Sequence, residues 1–257
     1  MTAPVEVSKR DGVLHVCINR PEKRNALSMA TLDAVAAAFD NNTSDPDLRL
    51  AVLTGAGDKS FAAGGDLTEL AAVKGEQAAV EMATRAKTAL SAVRNFPLPV
   101  IAALNGDALG GGAELALACD MRVAASHARI GFIQGKLGIT SAWGGGVDLM
   151  RLIGTARALQ MMTQMEMLDP SSATDMGLYN SVADDASSLE DALEAFIAPM
   201  RSQSPHVMRS FKALALQLRK ENREGMDQLE TKNFGFAWAH PDHDSAVDRL
   251  LNKTRAT

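Results

Sequence analysis

An α/β fold built from stacked parallel strands is predicted by three features of the sequence. Apolar runs typical of buried strands, such as LRLAVLTG (48–55), alternate with helical patterns along most of the chain. Hydrophobic residues make up 46% of the chain, which is enough for a sizeable core. No stretch shows the dense succession of short strands that marks an all-β sandwich. Alternating strands and helices therefore favour an α/β arrangement.

The individual elements follow from periodicity and end signals. Alternating apolar residues around Arg10–Gly12 predict a strand pair, and Ser28 is placed to cap the first helix. The predicted strands cover 5–20 (as the pair), 48–55, 97–106, 121–125 and about 129–133, and the predicted helices cover 29–41, 67–95, 146–153 and 155–163. Four further helical patterns close the chain, over 189–201, 205–219, 222–239 and 242–253.

The helical tail is too thin to form its own core. Its apolar positions exceed what a surface layer needs, so the tail is predicted to pack on the body or on a neighbouring subunit. These positions include Val207, Phe211, Leu214, Leu229 and Phe236. The sequence is accordingly divided into a core over residues 1–198 and a helical oligomerisation region over residues 199–257.

Composition narrows the range of functions. The net charge of −5 and the pI near 5.6 argue against a nucleic-acid partner. Cys17 and Cys119 lie in apolar runs and are predicted to be buried free thiols. The histidines show no metal-ligand spacing. The N-terminus lacks an apolar signal core and no apolar run reaches membrane-spanning length, so a cytoplasmic location without membrane contact is expected.

The stretch NGDALGGGAELALACD (105–120) combines features that ordinary helices avoid. Three glycines, Gly110–Gly112, stand where a helix should begin, and Glu114 follows within an apolar run. A helix start exposes N–H groups, and glycines let a ligand oxygen approach them closely. A second such junction, Ala63–Asp66, opens the next predicted helix upstream. The pair indicates a site where backbone amides stabilise an oxyanion, although each junction alone is more often a tight turn.

Nucleotide binding fits these loops poorly. GAGDKS (55–60) lacks the glycine before the lysine that a phosphate loop requires. GDALGGG (106–112) departs from the G-x-G-x-x-G spacing, and no acidic residue follows at the distance typical of a ribose ligand.

Four motifs resemble the crotonase superfamily, the enoyl-CoA hydratase/isomerase family. They are INRPEKRNALS (18–28), SFAAGGDLTEL (60–70), NGDALGGGAELALACDMRVA (105–124) and KLGITSAWGGGVDLMRLIG (136–154). The resemblance implies a spiral of ββα turns followed by a helical trimerisation region. It also implies a trimer or dimer of trimers, and an acyl-CoA thioester as ligand. CoA is then part of the substrate, and no separate cofactor or metal is expected.

Site residues are implied position by position. Gly65 and Gly111 would hold the thioester oxygen, and Glu114 would be the first catalytic glutamate. Residues implied to meet CoA are Arg24, Asn25, Ala26, Ala63, Asp66 and Lys253. Leu67, Trp143 and Gly144 are expected at the substrate pocket, although Trp143 suits ordinary packing equally well.

The sequence departs from the family pattern at one catalytic position. Hydratases and many isomerases carry a second glutamate where FIQGKLG (132–138) has Gln134, and glutamine cannot shuttle a proton near neutral pH. Enoyl-CoA hydration or dehydration remains the broad expectation for the family, with isomerisation as an alternative. Gln134 also favours decarboxylation of a carboxyacyl-CoA, because glutamine would not repel the substrate carboxylate. This departure and the motif LGITSAWGG resemble the ethylmalonyl-CoA decarboxylase branch.

Two other functional classes fit the sequence less well. A non-catalytic CoA- or RNA-binding protein on the same fold would not need Glu114 and both junction glycines. A serine protease of a related spiral fold would need a serine nucleophile beside the glycines, and GGGAE (110–114) offers none.

Overall fold

The computed structural model describes residues 3–184, 188–221 and 223–255, the last six of these as backbone only. The strands are β1 (Val5–Arg10), β2 (Val13–Ile18), β3 (Leu50–Gly55), β4 (Ser60–Ala62), β5 (Val100–Leu104), β6 (Asp107–Leu109), β7 (Met121–Ala124), β8 (Ile130–Gly131), β9 (Met167–Leu168) and β10 (Ser181–Val182). The helices are α1 (Met29–Asp40), α2 (Leu67–Leu70), α3 (Gly75–Arg94), α4 (Gly111–Ala118), α5 (Gly145–Ile153), α6 (Thr155–Thr163), α7 (Pro170–Asp175), α8 (Leu189–Arg201), α9 (Pro205–Lys220), α10 (Arg223–Ala239) and α11 (Pro241–Arg255).

The strands form two sheets. The larger has the order β1-β2-β3-β5-β7-β10, and the smaller has the order β4-β6-β8-β9. Pairing is parallel throughout except between β1 and β2 and between β8 and β9. This confirms the predicted α/β fold with parallel strands and a helical tail.

Three successive segments repeat the same ββα path. Each places one strand in the larger sheet, the next strand in the smaller sheet, and then a helix: β3-β4 before α2 and α3, β5-β6 before α4, and β7-β8 before α5. The spiral that the resemblance implied is therefore present. Its consequence for the site is that β4, β6 and β8 lie side by side and run in one direction.

The hydrophobic core lies on both faces of the larger sheet. The main cluster joins the sheet to the helices, with fully buried Phe39, Leu53, Leu90 and Leu115 among its members. A smaller cluster packs Leu193 and Ile197 of α8 against the other face. The predicted division after residue 198 falls within α8 and stays a prediction.

The predicted helix over 67–95 was wrong in one respect. It is two helices, α2 and α3, separated by a segment in which Lys74 is extended and Gly75 has a φ of +79°. An extended residue followed by positive φ cannot continue a right-handed helix. The strands β4, β6, β9 and β10, of two or three residues each, and the six-residue helix α7 were not predicted, because such short elements carry too little periodicity.

Two further features are the burial of the cysteines and the character of the helices. Cys119 is buried as predicted, Cys17 is half-buried, and both are free. In the described part of the chain, none of the helices combines the length and apolar character that a bilayer crossing requires.

Candidate active site

The site lies at one edge of the smaller sheet because three parallel strands end there. Ser60 pairs with Asp107, and Ala108 pairs with Ile130, so the carboxyl ends of β4, β6 and β8 are neighbours. Gly65 follows β4, Gly111 follows β6 and Gln134 follows β8. The fold thus brings together residues that are far apart in sequence, at the strand ends where ligands of parallel sheets usually bind.

A cavity of about 210 Å³ lies at this edge. Seven residues that the sequence analysis assigned to the site line it: Ala63, Gly65, Leu67, Gly111, Glu114, Gln134 and Trp143. Other lining residues are mostly apolar and include Leu70, Met82, Ile133, Ile139, Phe234 and Trp238. Among the described lining residues, Glu114 is the sole carboxylate and Lys136 the sole other charged group.

Two backbone amides at the cavity are available as donors. Gly111 is the first residue of α4, so no intrahelical carbonyl accepts its N–H. At the other junction, the amide of Leu27 donates to the carbonyl of Gly64, and the amide of Asp66 donates to the carbonyl of Leu27. Neither of these bonds uses the amide of Gly65. Across the described residues, neither glycine amide has a hydrogen-bond acceptor in the protein. Both are therefore suited to hold an oxygen of a ligand.

The need for glycine at position 111 comes from Trp143. A Cβ built on Gly111 would lie 2.2 Å from a ring carbon of Trp143, far inside contact distance. Trp143 is 5% exposed and covers the start of α4. The indole thus both lines the cavity and packs against the start of α4. The two interpretations of Trp143 from the sequence, a pocket residue and an ordinary packing residue, therefore both apply.

Glu114 is held by hydrogen bonds from a single loop and from one side chain. Its Oε2 accepts from the amides of Trp143 at 2.8 Å and Gly145 at 2.9 Å. Its Oε1 accepts from the amide of Ala142 at 3.4 Å and from the Nε2 of Gln134 at 3.1 Å. The carboxyl group is 2% exposed, and its orientation is fixed by these contacts.

Burial raises the pKa of Glu114 to about 7, and the negative charge of Glu230 acts in the same direction. The three loop amides oppose the rise because they stabilise the ionised form. A carboxyl group that titrates near neutral pH can both take up and release a proton under physiological conditions. Glu114 therefore has the properties of a general acid–base group.

A second cavity, of about 640 Å³, adjoins the first through Ala63. It is polar and carries four basic side chains against two carboxylates: Arg24, Lys59, His127 and Arg129 against Asp58 and Asp107. Arg24 is exposed and contacts the junction through its carbonyl, which accepts from the amide of Ala63 at 3.1 Å. Such a surface suits a ligand with phosphate groups.

Asn25 and Asp66 occupy buried positions next to these cavities. Asn25 is fully buried, and its Nδ2 donates to the carbonyls of Ala56 at 2.9 Å and Ser60 at 2.7 Å. Asp66 caps α2 and pairs with Arg20 at 2.8 Å. Both side chains are thus engaged within the protein, and so are both backbone amides, which donate to the carbonyls of Arg20 and Leu27. Their assignment to CoA, with that of half-buried Ala26, stays a prediction.

Two predicted residues lie elsewhere. Gly144 is outside the cavity lining, because its amide is turned to the carboxylate of Glu230 at 2.8 Å. Lys253 belongs to α11, and its side chain lies outside the described residues.

The sequence analysis missed the donors of the loop and Glu230. Ala142 and Gly145 act through backbone amides, which any residue carries, so no side-chain signal marks them. Glu230 lies in the helical tail beside Leu229, where the sequence indicated only an apolar packing face.

Known proteins resemble this chain over most of its length. The family model for enoyl-CoA hydratase/isomerase matches residues 8–256. A probable enoyl-CoA hydratase of Bacillus subtilis is 33% identical over 231 residues, covering 90% of this chain and 89% of the relative. An ethylmalonyl-CoA decarboxylase of Xenopus laevis is 28% identical over 237 residues, covering 91% of this chain and 79% of the relative.

Solved structures share the fold over nearly the whole chain. An enoyl-CoA hydratase from Mycobacterium avium subsp. paratuberculosis superposes with a TM-score of 0.85 at 25% identity, covering 96% of this chain and 98% of that one. The chain belongs to the enoyl-CoA hydratase/isomerase family.

Proposed function

We propose that this protein is an acyl-CoA lyase that hydrates an enoyl-CoA, or dehydrates its product, through a thioester enolate. The observation that carries the proposal is the convergence of two free backbone amides and one buried acid on a single cavity. The similarity to a probable enoyl-CoA hydratase supports the same substrate class.

The amides of Gly65 and Gly111 stabilise the enolate. The thioester oxygen gains negative charge as the enolate forms, and fixed N–H donors in a site shielded from water stabilise that charge strongly. In measured cases one such donor contributes about 3–4 kcal/mol to the transition state. The position of Gly111 at the start of α4 adds the partial positive charge of a helix N-terminus.

Glu114 moves the proton. As a carboxylate it removes a proton from water as the water oxygen bonds to C3, and as an acid it delivers a proton to C2 of the enolate. The pKa of about 7 lets the same group serve in both steps. Gln134, whose Nε2 lies 3.1 Å from Glu114 Oε1, orients that carboxylate and can hold water through its own amide.

Decarboxylation of a carboxyacyl-CoA is the second candidate, and the contact between Gln134 and Glu114 favours it. The C–C bond to the substrate carboxylate breaks, CO₂ leaves, and the electron pair forms the same enolate, which Glu114 then protonates. This reaction needs one acid and no second base. The similarity to an ethylmalonyl-CoA decarboxylase supports it as an alternative.

The CoA portion is assigned to the polar cavity beside Ala63. Its basic side chains Arg24 and Lys59 match the negative charge of the CoA phosphates, while Arg129 is paired with Asp107 at 2.6 Å. Calorimetric titration with acetyl-CoA is expected to show binding, and Arg24→Ala is expected to weaken it. Absence of binding at millimolar acetyl-CoA would remove the proposed function.

A panel of enoyl-CoAs and carboxyacyl-CoAs, analysed by mass spectrometry, tests the reaction. A gain of one water identifies hydration, and a loss of CO₂ identifies decarboxylation. A double bond moved without a change in mass, resolved by chromatography, would identify isomerisation instead. No product from any member of the panel would contradict the proposal.

Self-association is proposed as well. Three apolar side chains lie along one face of α9, namely Phe211, Leu214 and Leu218, and each is more than 60% exposed. Such a stripe at helical spacing suits a buried contact. Light scattering is expected to give a trimer or hexamer, and Phe211→Asp is expected to lower the mass. A stable monomer at micromolar concentration would contradict the proposal.

A further inference from the structure

A second buried carboxylate, Glu230 of α10, binds the same loop as Glu114. The loop, residues 141–146, is called here the amide loop. Glu114 accepts from the amides of residues 142, 143 and 145, while Glu230 accepts from those of Gly144 at 2.8 Å and Gly146 at 3.1 Å. The two carboxylates therefore divide five consecutive amides between them.

Two arginines bind carbonyl groups of the amide loop. Arg94 Nη2 donates to the carbonyl of Trp143 at 2.8 Å, and Arg223 Nη2 donates to that of Gly144 at 3.2 Å. Both arginines pair with Asp148, which lies on α5. The backbone polar groups of the loop are thus tied to α3, α4, α5 and α10.

The sequence of the loop fits this close approach. A Cβ on Gly145 would lie 2.4 Å from Cγ of Glu114, and a Cβ on Gly146 would lie 2.8 Å from Oε1 of Glu230. Distances under 3.0 Å require the neighbours to move. Glycine at these two positions therefore allows both carboxylates to reach the same stretch of backbone.

The contacts of Glu230 require a group that only accepts hydrogen bonds. Oε1 accepts from the hydroxyl of Ser141 at 2.8 Å as well as from Gly146, and Oε2 accepts from Gly144 and lies 3.3 Å from Nζ of Lys87. The side chain of Glu230 is 8% exposed, so water cannot readily replace these partners. A glutamine here would turn an NH₂ group toward donors.

We propose that Glu230 is a positioning residue of the active site, holding the amide loop so that its remaining amides orient Glu114 and Trp143 covers Gly111. Glu230 lines a neighbouring cavity that shares Gln134 with the cavity of Glu114, and its hydrogen bonds to Ser141, Gly144 and Gly146 reach the site through the loop. The inference rests on the proposed function for its catalytic readout. Its structural readout is independent of turnover.

The test compares Glu230→Gln with Glu224→Gln, a matched control on the same helix. Glu224 is exposed, and among the described residues its side chain accepts a hydrogen bond from Gln228 alone, at 3.5 Å. Two readouts are taken: steady-state kinetics on whichever CoA thioester the wild type converts, and the titration of the Glu114 carboxyl carbon by ¹³C NMR, assigned with Glu114→Gln. The charged groups nearest the loop, on α3, α5 and α10 and at the cavity, stay unchanged: Lys87, Arg94, Lys136, Asp148 and Arg223.

Glu230→Gln is expected to lower kcat by about 10- to 100-fold, the effect of a displacement of an ångström or so in a catalytic group. KM is expected to change less than about threefold, because none of the described residues that line the polar CoA cavity belongs to the loop. The Glu114 midpoint is expected to rise, because displaced loop amides no longer stabilise the ionised form, whereas loss of the Glu230 charge alone would lower it. Glu230→Asp is expected to recover part of kcat, and the control to match the wild type.

The outcomes separate the alternatives. A melting temperature that falls while kcat stays at the wild-type value would assign Glu230 a purely structural role and overturn the inference. A midpoint that falls or stays unmoved would overturn it even if kcat fell, because loss of the Glu230 charge by itself lowers the pKa of Glu114. If the wild type converts no CoA thioester, the proposed function fails, and the NMR midpoint alone decides the role of Glu230.

Discussion

Two helices of this chain begin after glycines and place a buried carboxylate at their start, yet the two carboxylates have opposite surroundings. Asp66 caps α2 and is 6% exposed, while Glu114 lies in the first turn of α4 and is 2% exposed. Both accept hydrogen bonds from backbone amides. Burial and amide contacts therefore do not distinguish them.

The difference lies in the charges around each group. Burial acts to raise the pKa of Asp66, but the hydrogen bond from Arg20, the amide of Thr68 and the charge of Lys23 together hold that pKa below its ordinary value. Among the residues that the structure describes, no cation forms an ion pair with Glu114. Its pKa rises to about 7 through burial first and the charge of Glu230 second. A buried carboxylate thus becomes reactive where its neighbours leave its charge uncompensated.

Glu114→Gln and Asp66→Asn break the comparison most directly. Glu114→Gln is expected to lower turnover by roughly 10²–10⁴, the usual contribution of an acid–base group, with CoA affinity retained. Asp66→Asn is expected to act mainly on stability, because it removes the ion pair with Arg20 and weakens the cap of α2. Kinetics, acetyl-CoA calorimetry and thermal melting measure the three quantities. Full activity of Glu114→Gln on every substrate would contradict the mechanism.

Gly111→Pro and Gly111→Ala test the backbone donor beside Glu114. Both add a Cβ that meets Trp143, and only proline also removes the N–H. Proline is tolerated at the first helical position, which Gly111 occupies. The ratio of their kcat values is expected to be about 10²–10³, the effect of deleting one oxyanion donor. Equal kcat values would show that the amide of Gly111 does not hold the oxyanion.

Gln134→Glu sharpens the comparison between Glu114 and Asp66, because it adds a second carboxylate next to Glu114, whose charge none of the described cations compensates. The new group would lie about 3 Å from Glu114, so the pair would share one proton at neutral pH. Crotonyl-CoA hydration is expected to rise by roughly 10², because a second acid–base group becomes available. Turnover of a carboxyacyl-CoA is expected to fall, since repulsion of its carboxylate amounts to ~1–4 kcal/mol. The same mass-spectrometric panel measures both, and unchanged hydration would contradict the expected role of position 134.

The sequence predicted the fold and one half of the site for a definite reason. Gly65, Gly111 and Glu114 occupy strand-to-helix junctions whose residue types are unusual, so a linear pattern marks them. Gln134 and Gly144 were assigned through the family resemblance; Gln134 lines the cavity, whereas the amide of Gly144 is turned away to Glu230. The direction of a loop amide depends on which distant carboxylate it meets.

The other half of the site is tertiary in origin. Glu230 lies 116 positions after Glu114 in the sequence. It belongs to a tail helix whose sequence pattern is marked mainly by its apolar residues. The strands β4 and β6, which align the two glycine junctions, have three residues each. Short strands are stabilised by their neighbours in the sheet, and local propensity is a weak guide to them.

The smallest expected effect is on the pH dependence of stability, where the two carboxylates should differ in sign. The folded state raises the pKa of Glu114 from 4.5 to about 7, so this group's contribution to stability is full below the lower value and is lost as the pH rises through the higher one. Asp66, whose pKa is lowered from 3.8, contributes above that value and loses its contribution as the pH falls below it. Relative to the wild type, the melting temperature of Glu114→Gln is therefore expected to increase between about pH 5 and about pH 8. The melting temperature of Asp66→Asn is expected to lie below that of the wild type, and this difference is expected to shrink as the pH is lowered below about 4, as far as the wild type stays folded. Melting curves of the three proteins across this range provide the measurement. If the melting temperatures of both variants, relative to the wild type, changed in the same direction with pH, the charges around Glu114 and Asp66 would not shift the two pKa values in opposite directions as described.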